Sequence, residues 1–308
     1  MCKSGFGSYK KNSASSVGFK TSLDNFASIY ASVLSIAGPD LIFFGFPETA
    51  TIANGKVSKW TSFSNLLTSS SPLYLDQVTD AARPALNSST SRPFQNFGNA
   101  SGTYLTTRTT QGTFGNVNMT SVTDMTVCTY LDLNNVDGAA VYPILFETGL
   151  GGFGGAYVNT LGALELQIVF PTTVASGKIE FDLKRGHTSN HYQIASYLVD
   201  NTNNYLRTGF NHFTFYWKAA KDNGTGNTFE FSINNVTQTL TVFSSPAAPG
   251  TATSVTNFNN IPIHWGSSYG FSTITADYSS LIIIGRKLTT DERTKIYNIQ
   301  RAIGDVLQ

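Results

Sequence analysis

Charge is scarce in this chain. Asp, Glu, Lys and Arg make up 13% of its 308 residues, about half the usual share for a soluble protein. The net charge is +1 and the isoelectric point is near 7.7, so no global field draws the chain to nucleic acid or to an anionic membrane. One basic run stands out, Lys10-Lys11 with Lys3 and Lys20 nearby, and it reads as a solvated arm. Cysteine is equally sparse. Cys2 and Cys128 are too few for a disulfide framework. Cys128 falls in the alternating run Thr126–Leu133 and is expected to be a half-buried strand residue; Cys2 follows Met1 with no apolar segment before it. No apolar stretch approaches the ~20 residues that span a bilayer, and no secretory leader is visible. The expectation is a soluble chain made in a reducing cytoplasm.

Ser, Thr, Asn and Gly take the place of charge, and aromatic residues reach 13%. Neutral hydroxyls and amides suit hairpin turns. They also suit surfaces that pack against other chains, because burying a neutral hydrogen-bonding group costs far less than burying an ion.

Three regions follow one another. Residues 1–21 combine Gly, Ser, Lys and Asn with the isolated aromatics Phe6, Tyr9 and Phe19. Such a segment buries too little apolar surface to fold alone. Leu23, Phe26, Tyr30, Val33 and Ala37 then recur at helical spacing, with Thr21 three residues before Asp24 at the start and Gly38-Pro39 as the stop. From Asp40 the period changes to two, with turn residues at short intervals. Leu41–Phe46, Val57–Trp60, Met125–Leu133, Leu164–Phe170, Ile179–Leu183, Phe213–Trp217 and Phe229–Ile233 all alternate. Asn234-Asn235 supplies hairpin chemistry before Val236–Val242. Around ten short strands and two helices predict an all-β, two-sheet sandwich. The expected division is an N-terminal arm and helix over 1–39 and a sandwich over 40–308, with Trp60 and Trp217 in its core.

The end of the chain, Asp277–Leu307, is the most specific stretch. An apolar strand of Leu281, Ile282, Ile283 and Ile284 runs through Gly285-Arg286-Lys287-Leu288 into an amphipathic helix. Thr289 and Glu292 have capping-box spacing, and Ile296, Ile299 and Ile303 form one stripe that must be buried. This segment resembles the closing strand and helix of the concanavalin A-like (laminin-G-like) jelly-roll superfamily. Asn54–Ser64 (NGKVSKWTSFS) resembles that superfamily's opening strand, departing from it at Ser62 and Phe63. Thr79–Pro84 (TDAARP), Asn96–Leu105 and Phe231–Asn235 resemble later strands of it. The resemblance implies a concanavalin A-like jelly-roll sandwich. Charge-poor members with no secretory leader resemble the domains found in phage and viral structural proteins.

Catalytic and metal signatures are weak. Glu180-Phe181-Asp182 would begin a strand motif of three carboxylates, as in glucanases of this superfamily, but Lys184 stands at the third position. A permanent cation has no proton to give near neutral pH, so Glu180, Asp182 and Lys184 read as an outward, self-neutralising strand face. His187 and His191 share no defined face with a third ligand. His212 and His264 read as hydrogen-bonded edges of the core. Gly149–Gly155 lacks the Lys and helix of a phosphate loop. Asp132, Asn134, Asn135 and Asp137 read as a turn rather than a calcium site. No catalytic residue, metal or cofactor is assigned.

The expected function is therefore that of a non-enzymatic virion structural protein of a phage, a capsid-decoration, head-fibre or tail-appendage subunit made in the host cytoplasm. Its arm (Phe6, Tyr9, Phe19) would dock on other virion proteins or on copies of itself in a homo-oligomer. The alternative is a carbohydrate-binding module for host-surface glycan, with Tyr157, Tyr192, Tyr197 and Trp265 as candidate contacts. Neither reading calls for specific nucleic acid or membrane.

Overall fold

The computed structural model of the chain describes residues 23–46, 49–62, 74–76, 79–87, 94–97, 105–106, 122–132, 144–148, 164–169, 178–185, 192–200, 209–218, 229–238, 241–242, 263–265 and 276–305. The arm with Phe6, Tyr9 and Phe19 lies outside them, as do Tyr157, His187, His191, the Gly149–Gly155 run, Asn134, Asn135 and Asp137.

Within these bounds the chain is all-β with two helices. Helix α1 (Leu23–Ala37) ends where expected, with Gly38 at φ +60° opening a 3-10 turn, Gly38–Asp40. The strands that follow are β1 (Leu41–Gly45), β2 (Ala50–Ala53), β3 (Lys56–Thr61), β4 (Tyr74–Asp76), β5 (Ala85–Asn87) and β6 (Phe94–Phe97). Next come β7 (Leu105–Thr106), β8 (Asp124–Asp132), β9 (Ile144–Thr148), β10 (Leu164–Val169), β11 (Lys178–Arg185) and β12 (Tyr192–Asp200). The last are β13 (Phe210–Lys218), β14 (Phe229–Ile233), β15 (Val236–Thr237), β16 (Thr241–Val242), β17 (Ile263–Trp265) and β18 (Ala276–Ile284), before α2 (Thr290–Asp305). Eighteen strands exceed the ten expected, because two- and three-residue strands such as β7 and β17 are too short to show a period.

Every pairing is antiparallel. One sheet runs β15-β14-β13-β8-β18, and the far edge of β18 is shared by β1 and β6. The other runs β2-β3-β4-β7-β17-β9-β10-β11-β12-β16. Strand β5 links the two, pairing with β6 and touching β3 at Ala85–Lys56. Across the sandwich, Phe43 of β1 meets Trp60 of β3 edge to face, with centroids 5.5 Å apart. Trp60 is fully buried, as expected, and its indole N–H donates to the Phe46 carbonyl at 2.9 Å.

The first sheet is covered on both faces. Residues 125–131 of β8 are buried without a break, so alternation there is hidden. Val127, Thr129, Leu131, Phe213, Phe215 and Phe231 form the inner face, where Phe215 and Phe231 stack at 5.2 Å. On the outer face Cys128, Ile282, Ile284, Leu41 and Phe44 pack with Val33 and Ala37 of α1 and with Ile296 and Ile303 of α2. Cys128 is thus wholly buried rather than half-buried, because α2 lies on a face expected to meet solvent. A bulge between Leu41 and Phe43 lets Leu41 and Phe44, three residues apart, share that outer side. Helix α1 belongs to the same core as β1 and α2, so packing is continuous across the 39/40 boundary.

The junction into α2 explains the specificity of the closing motif. The Thr289 N–H donates to Glu292 Oε2 at 2.8 Å, and the Glu292 N–H donates to Thr289 Oγ1 at 3.3 Å, the reciprocal capping box. The two-residue turns Asn54-Gly55 and Asn234-Asn235 have positive φ at both positions, as type I′ hairpins require. Ser62, which departs from the family pattern, is buried and accepts the Phe44 N–H at 2.9 Å. Asp80 of the TDAARP segment accepts from Asn54 (3.2 Å) and Arg83 (2.9 Å), tying that segment to the β2–β3 turn.

Candidate functional site

Nine of the ten strands of the second sheet each contribute one polar residue to a continuous row. Backbone register sets Thr51 of β2 opposite Lys59 of β3, then Asp76 of β4, Thr106 of β7 and His264 of β17. The row continues to Glu147 of β9, Glu165 of β10, Lys184 of β11 and Gln193 of β12. Directly opposed residues share one face of a sheet, and neighbouring strands lie about 4.8 Å apart. Nine strands therefore present nine polar positions in line, with no apolar residue among them.

The positions one residue along belong to the opposite face. They include Trp60, Leu75, Leu105 and Trp265, all fully buried, followed in register by Phe146, Leu166, Leu183 and Ala195. Burial of Trp60 and Leu75 on one side assigns Thr51, Lys59 and Asp76 of the row to the other. At its described end, Lys59 and Asp76 are half-buried, and Lys59 Nζ sits 4.0 Å from the centre of the Tyr74 ring, a cation–π contact. Burial, and then the neighbouring Asp76 carboxylate, push the Tyr74 hydroxyl above its ordinary range.

Trp265 corrects one expectation. It was a candidate glycan contact, yet it is fully buried in the apolar row, because Leu105 and Phe146 flank it in register. A ring without solvent exposure cannot serve as a platform for a sugar. Tyr192 and Tyr197 lie five residues apart, an odd spacing that puts them on opposite faces of a regular strand. A bulge at Ile194 changes this: Tyr192 pairs with Arg185 and Tyr197 with Phe181, two positions of one face of β11. That face is the one carrying Leu183, opposite Ala195. Lys184 falls in the polar row, and Asp182 pairs with Gln167 and Ser196 on the same face.

The nucleophilic and imidazole groups of the first sheet are occupied in packing. His212 of β13 is fully buried, and its Nε2 lies 2.7 Å from Gln300 Oε1 of α2. Burial lowers its pKa to about 4, which leaves a neutral ring near pH 7. The same burial pushes the Cys128 thiol up to about 12, so it is not a thiolate nucleophile. Tyr216 donates to Asp124 Oδ1 at 2.5 Å, and Lys287 pairs with Glu230 while lying 5.0 Å from the Tyr216 ring centre. Among the described residues no group of three His, Cys, Asp or Glu side chains is placed to hold a metal ion. No described helix is long and apolar enough to cross a membrane.

Sequence reasoning singled out none of Thr51, Lys59, Asp76, Thr106, Glu147, Glu165 or Gln193 as a functional residue, and read His264 as a core edge. No motif could have found the row, since consecutive members come from different strands. The one signal was negative: each sits at a polar position beside a strongly apolar one.

No known protein-family profile matches the chain, and no curated protein matches its sequence. The solved structures to which the chain is similar include toxin binding domains and a sialidase. The ligand-binding domain of botulinum neurotoxin serotype D, solved with N-acetylneuraminic acid, shares 11% identity at a TM-score of 0.49, over 87% of this chain and 52% of that one. Trypanosoma rangeli sialidase, solved with the inhibitor DANA, shares 11% at 0.47, over 91% of this chain and 39% of that one. The binding domain of Paraclostridial Mosquitocidal Protein 1 shares 11% at 0.45, over 84% and 52%. The chain thus spans about half, or less, of the length of each.

Proposed function

We propose that this chain is a non-enzymatic recognition subunit that binds a hydroxyl-rich ligand, a host-surface glycan, along the polar row of its second sheet. The single observation behind this reading is the unbroken line Lys59, Asp76, Thr106, His264, Glu147, Glu165, Lys184 and Gln193. Carboxylates, amides, ammonium groups and imidazole offer both donors and acceptors, and a sugar needs both along its rim. Adoption of a concanavalin A-like jelly roll, as the closing motif suggests, would give this face the shape of a shallow trough. The subunit is placed in a phage virion, as a decoration, fibre or tail-appendage protein. That placement draws support from the low charge, the Ser/Thr/Asn/Gly-rich composition and the family resemblance.

Glycan-array binding tests the reading, with the double variant Glu147→Gln/Glu165→Gln as the control. Binding by the parent that falls at least tenfold in the variant, with unchanged melting, supports it. A parent silent across the array removes it. Glu147 and Glu165 are also directly opposed in backbone register, and retaining hydrolysis uses a pair of carboxylates. The same samples are therefore assayed for reducing ends. Cleavage by the parent that the variant loses would replace binding with catalysis. Mass spectrometry of purified virions checks the placement, and absence of the polypeptide would refute it.

A further inference from the structure

The covered face of the first sheet holds a second, unrelated device. Gln300 reaches three neighbouring strands at once. Its Nε2 donates to Ser280 Oγ of β18 at 2.9 Å and to the Cys128 carbonyl of β8 at 3.2 Å. Its Oε1 is left to accept, so the His212 Nε2 at 2.7 Å must carry the hydrogen. That choice fixes the tautomer. His212 Nδ1 is then the bare nitrogen, and it is buried with no hydrogen-bond partner among the described residues. A proton arriving on the ring has to take this site.

The described groups around the ring are unsuited to a second cation. Helix α2 supplies Arg293, whose charge opposes protonation, and the Tyr297 ring, edge-on at 5.2 Å. Strand β8 supplies Tyr130, opposite His212 in register, while the neutral Cys128 thiol lies opposite Thr214, two residues along. Strand β18 supplies the Ser280 hydroxyl, through Gln300. The Asn234 side-chain oxygen of the β14–β15 turn is already used by the His212 backbone N–H at 3.0 Å. Among the described residues no carboxylate acts on the imidazole.

We propose that His212 is an acid-sensitive latch, which holds α2 on the first sheet when neutral and releases it when protonated. Release is local because the inner face of the same sheet is closed by its own packing of Phe213, Phe215 and Phe231. It would expose the apolar outer face of β8 and β18, including Cys128 and Ile282. Protonation below about pH 6.5, the ordinary imidazole value, favours any state in which the ring is wet. The capping pair Glu292–Arg286 persists to lower pH, since Glu292 is held near 2. Acid therefore loosens the middle of α2 before its first turn.

Cys128 is a built-in reporter. The full chain carrying Cys2→Ser is treated with 4,4′-dithiodipyridine at pH 7 and 4.5, each rate divided by that of urea-unfolded protein at the same pH. The expected result is at least a tenfold rise in relative reactivity on acidification, shrinking to less than twofold in His212→Gln. An equal rise in both proteins overturns the latch. Should His212→Gln fail to fold at pH 7 by circular dichroism, hydrogen exchange in the His212-containing chain decides. Protection of α2 amides, relative to unfolded-chain exchange at the same pH, that falls between pH 6.5 and 4 ahead of that in β8 and β13 supports the proposal. Simultaneous loss of protection throughout, or a folded-state imidazole that titrates near 6.5, refutes it.

Discussion

Arg286 and Glu292 meet as a two-pronged pair, Nη2 to Oε1 at 2.7 Å and Nη1 to Oε2 at 3.0 Å. The same guanidinium donates from Nη2 to the Ile36 carbonyl at 2.7 Å and pairs through Nε with Asp40 at 3.0 Å. One side chain thus joins the last turn of α1, the turn after it and the first turn of α2. Lysine has the charge but not the planar fork. Arg286→Lys should cost about 1.5–3 kcal/mol, the range for hydrogen bonds to charged groups. A urea midpoint unchanged from the parent would refute this.

Glu292 carries a pH dependence. The Arg286 hydrogen bonds, foremost, hold its carboxyl near 2, below an ordinary value of 4.5. A folded value below the unfolded one means the contribution is complete above about pH 4.5 and is lost as pH falls toward 2. The pair is about a quarter exposed, so solvent screening reduces the effect to about 1–2 kcal/mol. The melting temperature should fall across that window in the parent and much less in Glu292→Gln.

The stripe of α2 is not uniform. Ile296 is fully buried and Ile303 nearly so, whereas Ile299 is only partly buried against the same cluster. Ile296→Asp buries an unpaired carboxylate and should cost several kcal/mol, enough to unfold a marginal domain. Ile299→Asp can turn its carboxylate toward water and should cost clearly less. Equal losses in thermal melts would contradict this packing.

Gly45 is required by space rather than by backbone angle. A Cβ there would stand 2.7 Å from Phe43 Cε1 and from Trp60 Nε1, inside the contact where the two sheets meet. Gly45→Ala should cost about 1–3 kcal/mol, as other overpacked core substitutions do. A variant that melts with the parent would show that the Phe43–Trp60 contact can open freely.

Much of the architecture was legible because its causes are local. The capping box at Thr289–Glu292, the stop at Gly38-Pro39 and the Asn234-Asn235 hairpin each depend on a few consecutive residues. The burial of Cys128 and Trp265 was not legible. An alternating strand looks the same whether its second face meets water or a helix from the far end of the chain.

What the sequence determined by itself was the period: two along the strands, three to four along the helices, with turn residues between. Those preferences arise from backbone geometry and side-chain polarity within a few residues. The tertiary structure alone decided which strand lies beside which, and in what register. Placement of Glu147 against Glu165 and His264, and of Gln300 beneath His212, belongs to that second class. Each member comes from a different strand or helix, and only cross-strand hydrogen bonding and the burial of the intervening apolar positions bring them into line.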